Sequence, residues 1–324
     1  MSDQKSPVQA RIFVRLFFWL LLPLLLLLPF AAAEIYLRLI GVGDPILYYG
    51  NTSYRYAPRP NQKHVGPNGA TITVDSKGFR GVKEWTGPAY GKILFIGSSI
   101  TWGGTTIGDK DLYTNVVCVS LEKSLHRDFT CGNAGVNSYG TENMAERIRY
   151  GDADESVIVV TIGTFHPTRG LTDLDSTPYL TIPPPAPFKG LWEVTALASW
   201  HLLHLLRPIY YEGKENNLRV AEQRLHNLFD ALRETDRPGR KVLIVFMPSK
   251  DEVDGHEVDL TKKIRSVLKH SQLDVLDFLE VISTTPSHDD LFLPDGSHLS
   301  RAGHDFVGQQ IAEKVKHYFA DSRE

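Results

Sequence analysis

Two short polar stretches in this chain carry residue types that could do chemistry together. Ser98 and Ser99 follow directly on an apolar run, KILFI at 92–96, that ends in Gly97. Far downstream, in LPDGSHLSRAGH at 293–304, Asp295 and His298 are separated by two residues on a Gly-containing turn. A carboxylate at that spacing can orient an imidazole and stabilise its protonated form. The imidazole can then take the proton of a serine hydroxyl and make it a nucleophile for an ester carbonyl. The chemistry indicated is acyl-ester cleavage, with Ser99 as nucleophile, His298 as base and Asp295 as the orienting carboxylate. Each stretch by itself has a plainer reading. A serine after a strand and a glycine is commonly a turn or cap residue, and D-x-x-H is commonly a surface turn. Their order around an alternating strand–helix pattern sets this pair apart.

The elements that must hold these residues follow from hydrophobic period. Apolar runs predict strands at 92–97, 128–133, 156–162, 241–247 and 273–277, and amphipathic spacing predicts helices near 111–125, 141–150, 217–234, 257–270 and 301–319. Leu218, Ala221, Leu225, Leu228 and Leu232 recur at helical spacing as one core-facing stripe. Strands alternating with helices imply an α/β fold, a three-layer sandwich around a mostly parallel sheet with right-handed crossovers. Such sheets bind ligands at the carboxyl ends of their strands, which is where Ser99 falls. Ser300 is expected to cap the terminal helix. Residues 167–212 interrupt the alternation. They contain the proline-rich TIPPPAPFKG and then an apolar helix at 191–206 bearing Trp192 and Trp200. This insertion is expected to border the active-site edge, as a lid or substrate wall or as a packing excursion.

Together these stretches resemble the SGNH/GDSL hydrolases, a superfamily of esterases, lipases, deacetylases and acyltransferases. Gly97-Ser98-Ser99 matches the first block, with Ser99 on the nucleophile and Ser98 on the usual aspartate; Asp295 and His298 match the last. NAGVNSYG at 133–140 resembles the second block and would place Gly135 as an oxyanion-hole donor beside the Ser99 backbone N–H. The third block, usually G-x-N-D after a strand, reads Gly163-Thr164-Phe165-His166 here. Phe165 stands where the oxyanion-hole asparagine is expected. The resemblance implies that Thr164, Asn133 or Asn137 would have to substitute, while the Phe165 ring walls the acyl pocket or turns inward to pack. It covers roughly residues 90–320 and implies an SGNH, flavodoxin-like architecture.

The chain has 324 residues, 42% hydrophobic and 23% charged, with a formal net charge of −3. This is ordinary globular composition with no basic footprint for nucleic acid. The N-terminus decides the compartment. Residues 16–33, LFFWLLLPLLLLLPFAAA, are uncharged. At 1.5 Å per residue they make a helix of about 27 Å, near the thickness of a bilayer core. Lys5, Arg11 and Arg15 precede it, which keeps the N-terminus cytoplasmic and the rest outside. A cleaved signal peptide ending in Ala31-Ala32-Ala33 is the rival reading. The apolar pattern resumes after Glu34 at Ile35, Tyr36, Leu37, Leu39 and Ile40, which favours a retained anchor. The expected organisation is a cytoplasmic tail at 1–15, a transmembrane helix at 16–40, a juxtamembrane segment at 41–90 and the SGNH-like domain at 91–320.

The juxtamembrane segment is rich in Gly, Pro and Tyr, with YRYAPRPNQ at 54–62, a hairpin-like element at 71–74, and Gly78-Phe79-Arg80, read as a packing turn. Cys118 and Cys131 are the only cysteines. They read equally as a disulfide in an oxidising compartment or as two small buried apolar residues. No metal or cofactor is called for: two cysteines do not make a zinc site, and His201 and His204 have no carboxylate at ligand spacing. The expected function is a membrane-anchored, extracytoplasmic (periplasmic) serine esterase acting on O-acetyl groups of an envelope glycan or on a lipid ester. Two rivals share the sequence: an O-acyltransferase using the same acyl-enzyme, and an SGNH-like domain that binds envelope polymers with little or no turnover, motivated by Phe165 and Ser98.

Overall fold

The computed structural model describes residues 7–66, 69–151, 154–206, 218–285 and 288–320, with backbone only at 7–14, 16, 20, 21 and 204–206. Residues 1–6 of the expected cytoplasmic tail and the His204 side chain therefore lie outside the described residues. Helix α1 (Pro7–Leu39) is continuous and holds Pro23 and Pro29 within it. It does run on past Ala33. Its segment Phe17–Leu39 is long and apolar enough to cross a membrane, and nearly all of that segment is unburied.

Two hairpins follow. Strands β1 (Tyr48–Asn51) and β2 (Arg55–Pro58) pair antiparallel, as do β3 (Gln62–Val65) and β4 (Thr71–Val74). The second hairpin contains the expected 71–74 element. The first has no counterpart in the sequence reading, because four-residue strands are too short for alternation to show. Its turn is set by Asn51, whose Oδ1 accepts the N–H groups of Ser53 and Tyr54.

The core domain begins at β5 (Gly91–Ile96), followed by the one-turn α2 (Ser99–Trp102), α3 (Tyr113–Leu125) and β6 (Phe129–Asn133). Then come α4 (Thr141–Tyr150), β7 (Val157–Ile162), α5 (Lys189–Leu206), α6 (Leu218–Glu234) and β8 (Lys241–Phe246). The chain closes with α7 (Lys250–Val253), α8 (Asp259–Lys269), β9 (Asp274–Asp277), α9 (Phe278–Ser283) and α10 (Arg301–Ala320). The five strands form one parallel sheet in the order β6-β5-β7-β8-β9. Helices α3 and α10 pack together on one side, and α4, α6 and α8 on the other. The central strand β7 is buried at every position, as a strand covered on both faces must be. The α6 stripe is buried at Ala221, Leu225, Leu228 and Leu232. Cys118 on α3 and Cys131 on β6 form a disulfide, with Cα atoms 6.0 Å apart.

Candidate active site

The β5 strand ends at Gly97, and the chain turns directly into α2, whose first residue is Ser99. Gly97 is needed there because a Cβ would collide with the Thr101 side chain of that same turn. The downstream pair arrives on a turn between β9 and α10. Gly296, with φ +66°, lets the chain reverse between Asp295 and Ser297. Asp295 Oδ1 accepts the backbone N–H groups of Ser297 and His298, both at 2.9 Å, which locks the turn around the carboxylate. Ser300 caps α10, accepting the Gly303 N–H on Oγ at 3.1 Å.

The fold brings these residues together across 199 positions of sequence: His298 Nε2 lies 2.9 Å from Ser99 Oγ. On the other side of the ring, His298 Nδ1 lies 2.8 Å from Asp295 Oδ2. A proton on Nδ1 bonded to the carboxylate leaves the Nε2 lone pair facing the serine hydroxyl. Desolvation works to raise the Asp295 pKa, but the N–H groups of His298 and Ser297 and the His298 ring outweigh it. The carboxyl is held below its ordinary value and stays ionised near neutrality. The relay is open to solvent, with the Asp295 and His298 side chains 51% and 38% exposed. A cavity of about 230 Å³ lies beside it, lined by Ser99, Gly103, Thr105, Leu293, His298 and His304 among others.

The second block differs from expectation. The Gly135 N–H donates to Asn133 Oδ1 at 2.9 Å, so this donor is already engaged. A glycine stands there for packing: a Cβ would lie 2.8 Å from both the Thr101 Cβ and the Trp102 backbone nitrogen. Asn133 is also spent, because its Nδ2 donates to the Thr101 carbonyl at 2.6 Å. Thr164 is buried, and its hydroxyl bonds to the Glu252 carboxylate and Thr261. Neither is free to replace the missing third-block asparagine. Phe165 does not turn inward: its ring is 59% exposed, and it is not among the residues lining the cavity.

Two groups of the second block remain. Asn137 Oδ1 is buried without a hydrogen-bond partner among the described residues. Assignment of the amide O and N rests on the bonding network, so this is equally the place of an unpaired Nδ2. Ser138 has φ +66°, a left-handed conformation that favours glycine, and its backbone N–H has no acceptor among the described residues. The signal for Ser138 in the sequence is weak, because serine does not announce a positive φ.

Several residues around the site escape the sequence reading. Arg80, read as part of a packing turn, is fully buried and pairs with Asp109, Nε to Oδ1 at 2.8 Å. Its guanidinium also donates to the carbonyls of Trp102 and Gly104, each at 2.6 Å, and to that of Ile107. It thereby fixes the loop that leaves the serine helix. Burial pulls the Arg80 pKa down and pushes the Asp109 carboxyl up, so desolvation opposes both charges. The extra carbonyl acceptors are what make such a buried pair tenable. Ser98, standing at the usual aspartate, is buried and accepts from Arg169 Nη1 at 3.4 Å. His166 accepts the Gly163 N–H on Nδ1 at 3.0 Å, and His304 accepts the Tyr113 N–H at 3.2 Å. Burial lowers the pKa of each to about 3, helped by the Arg169 charge at His166 and the Arg80 charge at His304. Both rings are neutral.

No family model and no curated protein matches the chain. Among solved structures it is similar to a lipase/acylhydrolase from Enterococcus faecalis at 18% identity, covering 69% of this chain and 95% of that one, with a TM-score of 0.44. It is also similar to the acetylxylan esterase Axe2 from Geobacillus stearothermophilus at 17% identity, covering 70% and 94%, with a TM-score of 0.44. A putative lipolytic protein of the G-D-S-L family from Desulfitobacterium hafniense DCB-2 matches at 13% identity, covering 68% and 98%, with a TM-score of 0.41. The chain has an α/β fold with a five-stranded parallel sheet, a serine turn after the first core strand and a D-x-x-H turn before the last helix, the arrangement expected from the resemblance of its sequence blocks to the SGNH/GDSL hydrolases.

Proposed function

We propose that the protein is a serine esterase, held at a membrane by α1, that cleaves small acyl esters through Ser99. The observation that carries this reading is the unbroken relay from Ser99 Oγ to His298 to Asp295, at 2.9 and 2.8 Å. His298 takes the serine proton as Oγ attacks the ester carbonyl, then gives it to the departing alcohol; water repeats the steps in reverse on the acyl-enzyme. Asp295 stays ionised and stabilises the imidazolium. The developing oxyanion is met by the Ser99 backbone N–H, at the turn where β5 gives way to α2. A cavity of about 230 Å³ is small beside ordinary ligand pockets and suits an acetyl-sized group. The solvent-open relay favours water over a sugar hydroxyl as acceptor, because transfer needs water kept out. The domain faces the extracytoplasmic side, in keeping with the Cys118–Cys131 disulfide, and O-acetyl groups of an envelope glycan are the substrate class.

The test combines a fluorophosphonate probe with p-nitrophenyl esters of increasing chain length. The wild-type chain is expected to be labelled and to prefer acetate, and Ser99→Ala to lose both properties. A folded wild-type chain that neither labels nor hydrolyses would leave only the binding role.

A further inference from the structure

Helix α5 is apolar around its whole circumference, yet the rest of the chain only half-buries one side of it, at Leu191, Trp192, Leu197 and Trp200, and leaves the other exposed. Leu191, Trp192, Val194, Leu197, Trp200, Leu202 and Leu203 fall on every side of the helix at 100° per residue. Among its described side chains only Gly190 is buried. Val194 is 43% exposed, and Leu202 and Leu203 are each 59% exposed; Phe188 and Ile182, just before the helix, are exposed too. A helix serving a protein core hides one stripe, as α6 does with Leu225, Leu228 and Phe229. Exposed apolar surface of this extent marks a contact with something else.

The place where α5 starts says what that is. Glu34, near the end of α1, accepts the N–H groups of Gly190 at 3.1 Å and Leu191 at 2.9 Å, both in the first turn of α5. Glu34 also pairs with Arg38 at 2.6 Å, and Arg38 donates to the Pro187 carbonyl at 2.6 Å. Just beyond α1, the Gly43 N–H donates to Glu193 Oε2 at 2.6 Å. A Cβ at Gly190 would lie 2.8 Å from the Leu37 Cβ, so the two helices touch where only a glycine fits. The apolar helix therefore begins at the point where α1 ends.

We infer that α5 lies in the lipid of the bilayer that α1 crosses, as a second membrane contact of the same chain. The inference rests on the reading of α1 as an anchor. Between Glu193 and the end of α5 there is no charged residue. The helix carries Trp192 and the exposed His201, side chains suited to the boundary between acyl chains and headgroups. Among the described residues α1 alone is long and apolar enough to cross. Helix α5 therefore lies in the interface plane. A single spanning helix leaves the domain free to swivel about one stalk; a second contact fixes which way the Ser99 edge faces. The segment leading to α5 touches that edge, since Tyr179 Oη lies 3.0 Å from Ser138 Oγ.

The test uses the full chain in vesicles of phosphatidylcholine and phosphatidylglycerol, with or without brominated acyl chains. The native cysteines are paired, so one introduced cysteine carries an environment-sensitive fluorophore at Leu203→Cys, with Leu26→Cys in α1 and Glu313→Cys on the exposed face of α10 as references. The expected result is loss of emission at 203 to the degree seen at 26, with none at 313. Quenching at 26 without quenching at 203 overturns the inference and leaves the anchor standing. Absence of quenching at both removes the anchor and the inference with it. Unquenched label at 203 together with concentration-dependent cross-linking of Leu203→Cys chains assigns the face to a second copy and overturns the inference.

Discussion

At the scale of single residues, each role rests on one or two hydrogen bonds, and each can be removed alone. Asp295 touches no reacting atom; it holds the Nδ1 proton of His298. Asp295→Asn is expected to lower kcat by about 10⁴-fold with KM little changed, since an amide in its place stabilises the wrong tautomer. Steady-state kinetics on p-nitrophenyl acetate check this, and near-wild-type turnover would remove Asp295 from the mechanism. Phe165 gives the opposite expectation. Its exposed ring makes Phe165→Asn near neutral for stability, within about 0.5 kcal/mol. Because Phe165 does not line the cavity, acyl-length preference should not move. Thermal unfolding and the chain-length series read both, and a shifted preference would place the ring at the acyl site after all.

At the scale of elements, one tie holds the chain just after the serine turn and another joins α3 to β6. Arg80 binds Asp109 and three carbonyls of the loop after α2. Arg80→Ala leaves Asp109 buried without its partner and should cost about 3–5 kcal/mol. Lysine keeps the charge but presents a single ammonium where a fork is required. Arg80→Lys should therefore stay folded at low temperature with kcat reduced and KM little changed. Equal activity of Arg80→Lys and wild type would reduce Arg80 to a purely structural part. The disulfide ties α3 to β6 across a sequence separation of 13. Closing a loop of that size is worth about 3 kcal/mol, and reduction or Cys118→Ser should lower the denaturant midpoint accordingly. An unchanged midpoint would mean the pair does not constrain the unfolded chain.

At the scale of the whole molecule, two buried histidines make stability depend on pH. His166 and His304 have pKa values near 3 in the folded chain, against about 6.5 for an unperturbed histidine. Between those values the unfolded chain binds more protons, so stability is fully present above pH 6.5 and falls as pH drops. The slope is at most about 1.36 kcal/mol per pH unit for each ring. Chemical denaturation at pH 7, 6 and 5, above the range of ordinary carboxylates, should show this fall, and His304→Asn should flatten it. A slope unchanged by that substitution would mean His304 does not carry the effect. What the sequence by itself determined is the alternation of elements. Each core strand lies within about a residue of its expected bounds, because hydrophobic period and turn residues are local properties. The turns that carry Ser99, Asp295 and His298 were legible for the same reason, each lying on a short stretch with its own turn chemistry. Only the tertiary structure decided which donors are free. Gly135 lost its N–H to Asn133, and Thr164 its hydroxyl to Glu252, 88 positions away. It also decided that Arg80 reaches Asp109, that the two cysteines meet, and that one side of α5 is left exposed beside the end of α1. Apart from the Gly135–Asn133 bond, which joins residues two apart, each of these depends on which distant group the fold delivers to a polar atom or an apolar face, and no local pattern of residues records that.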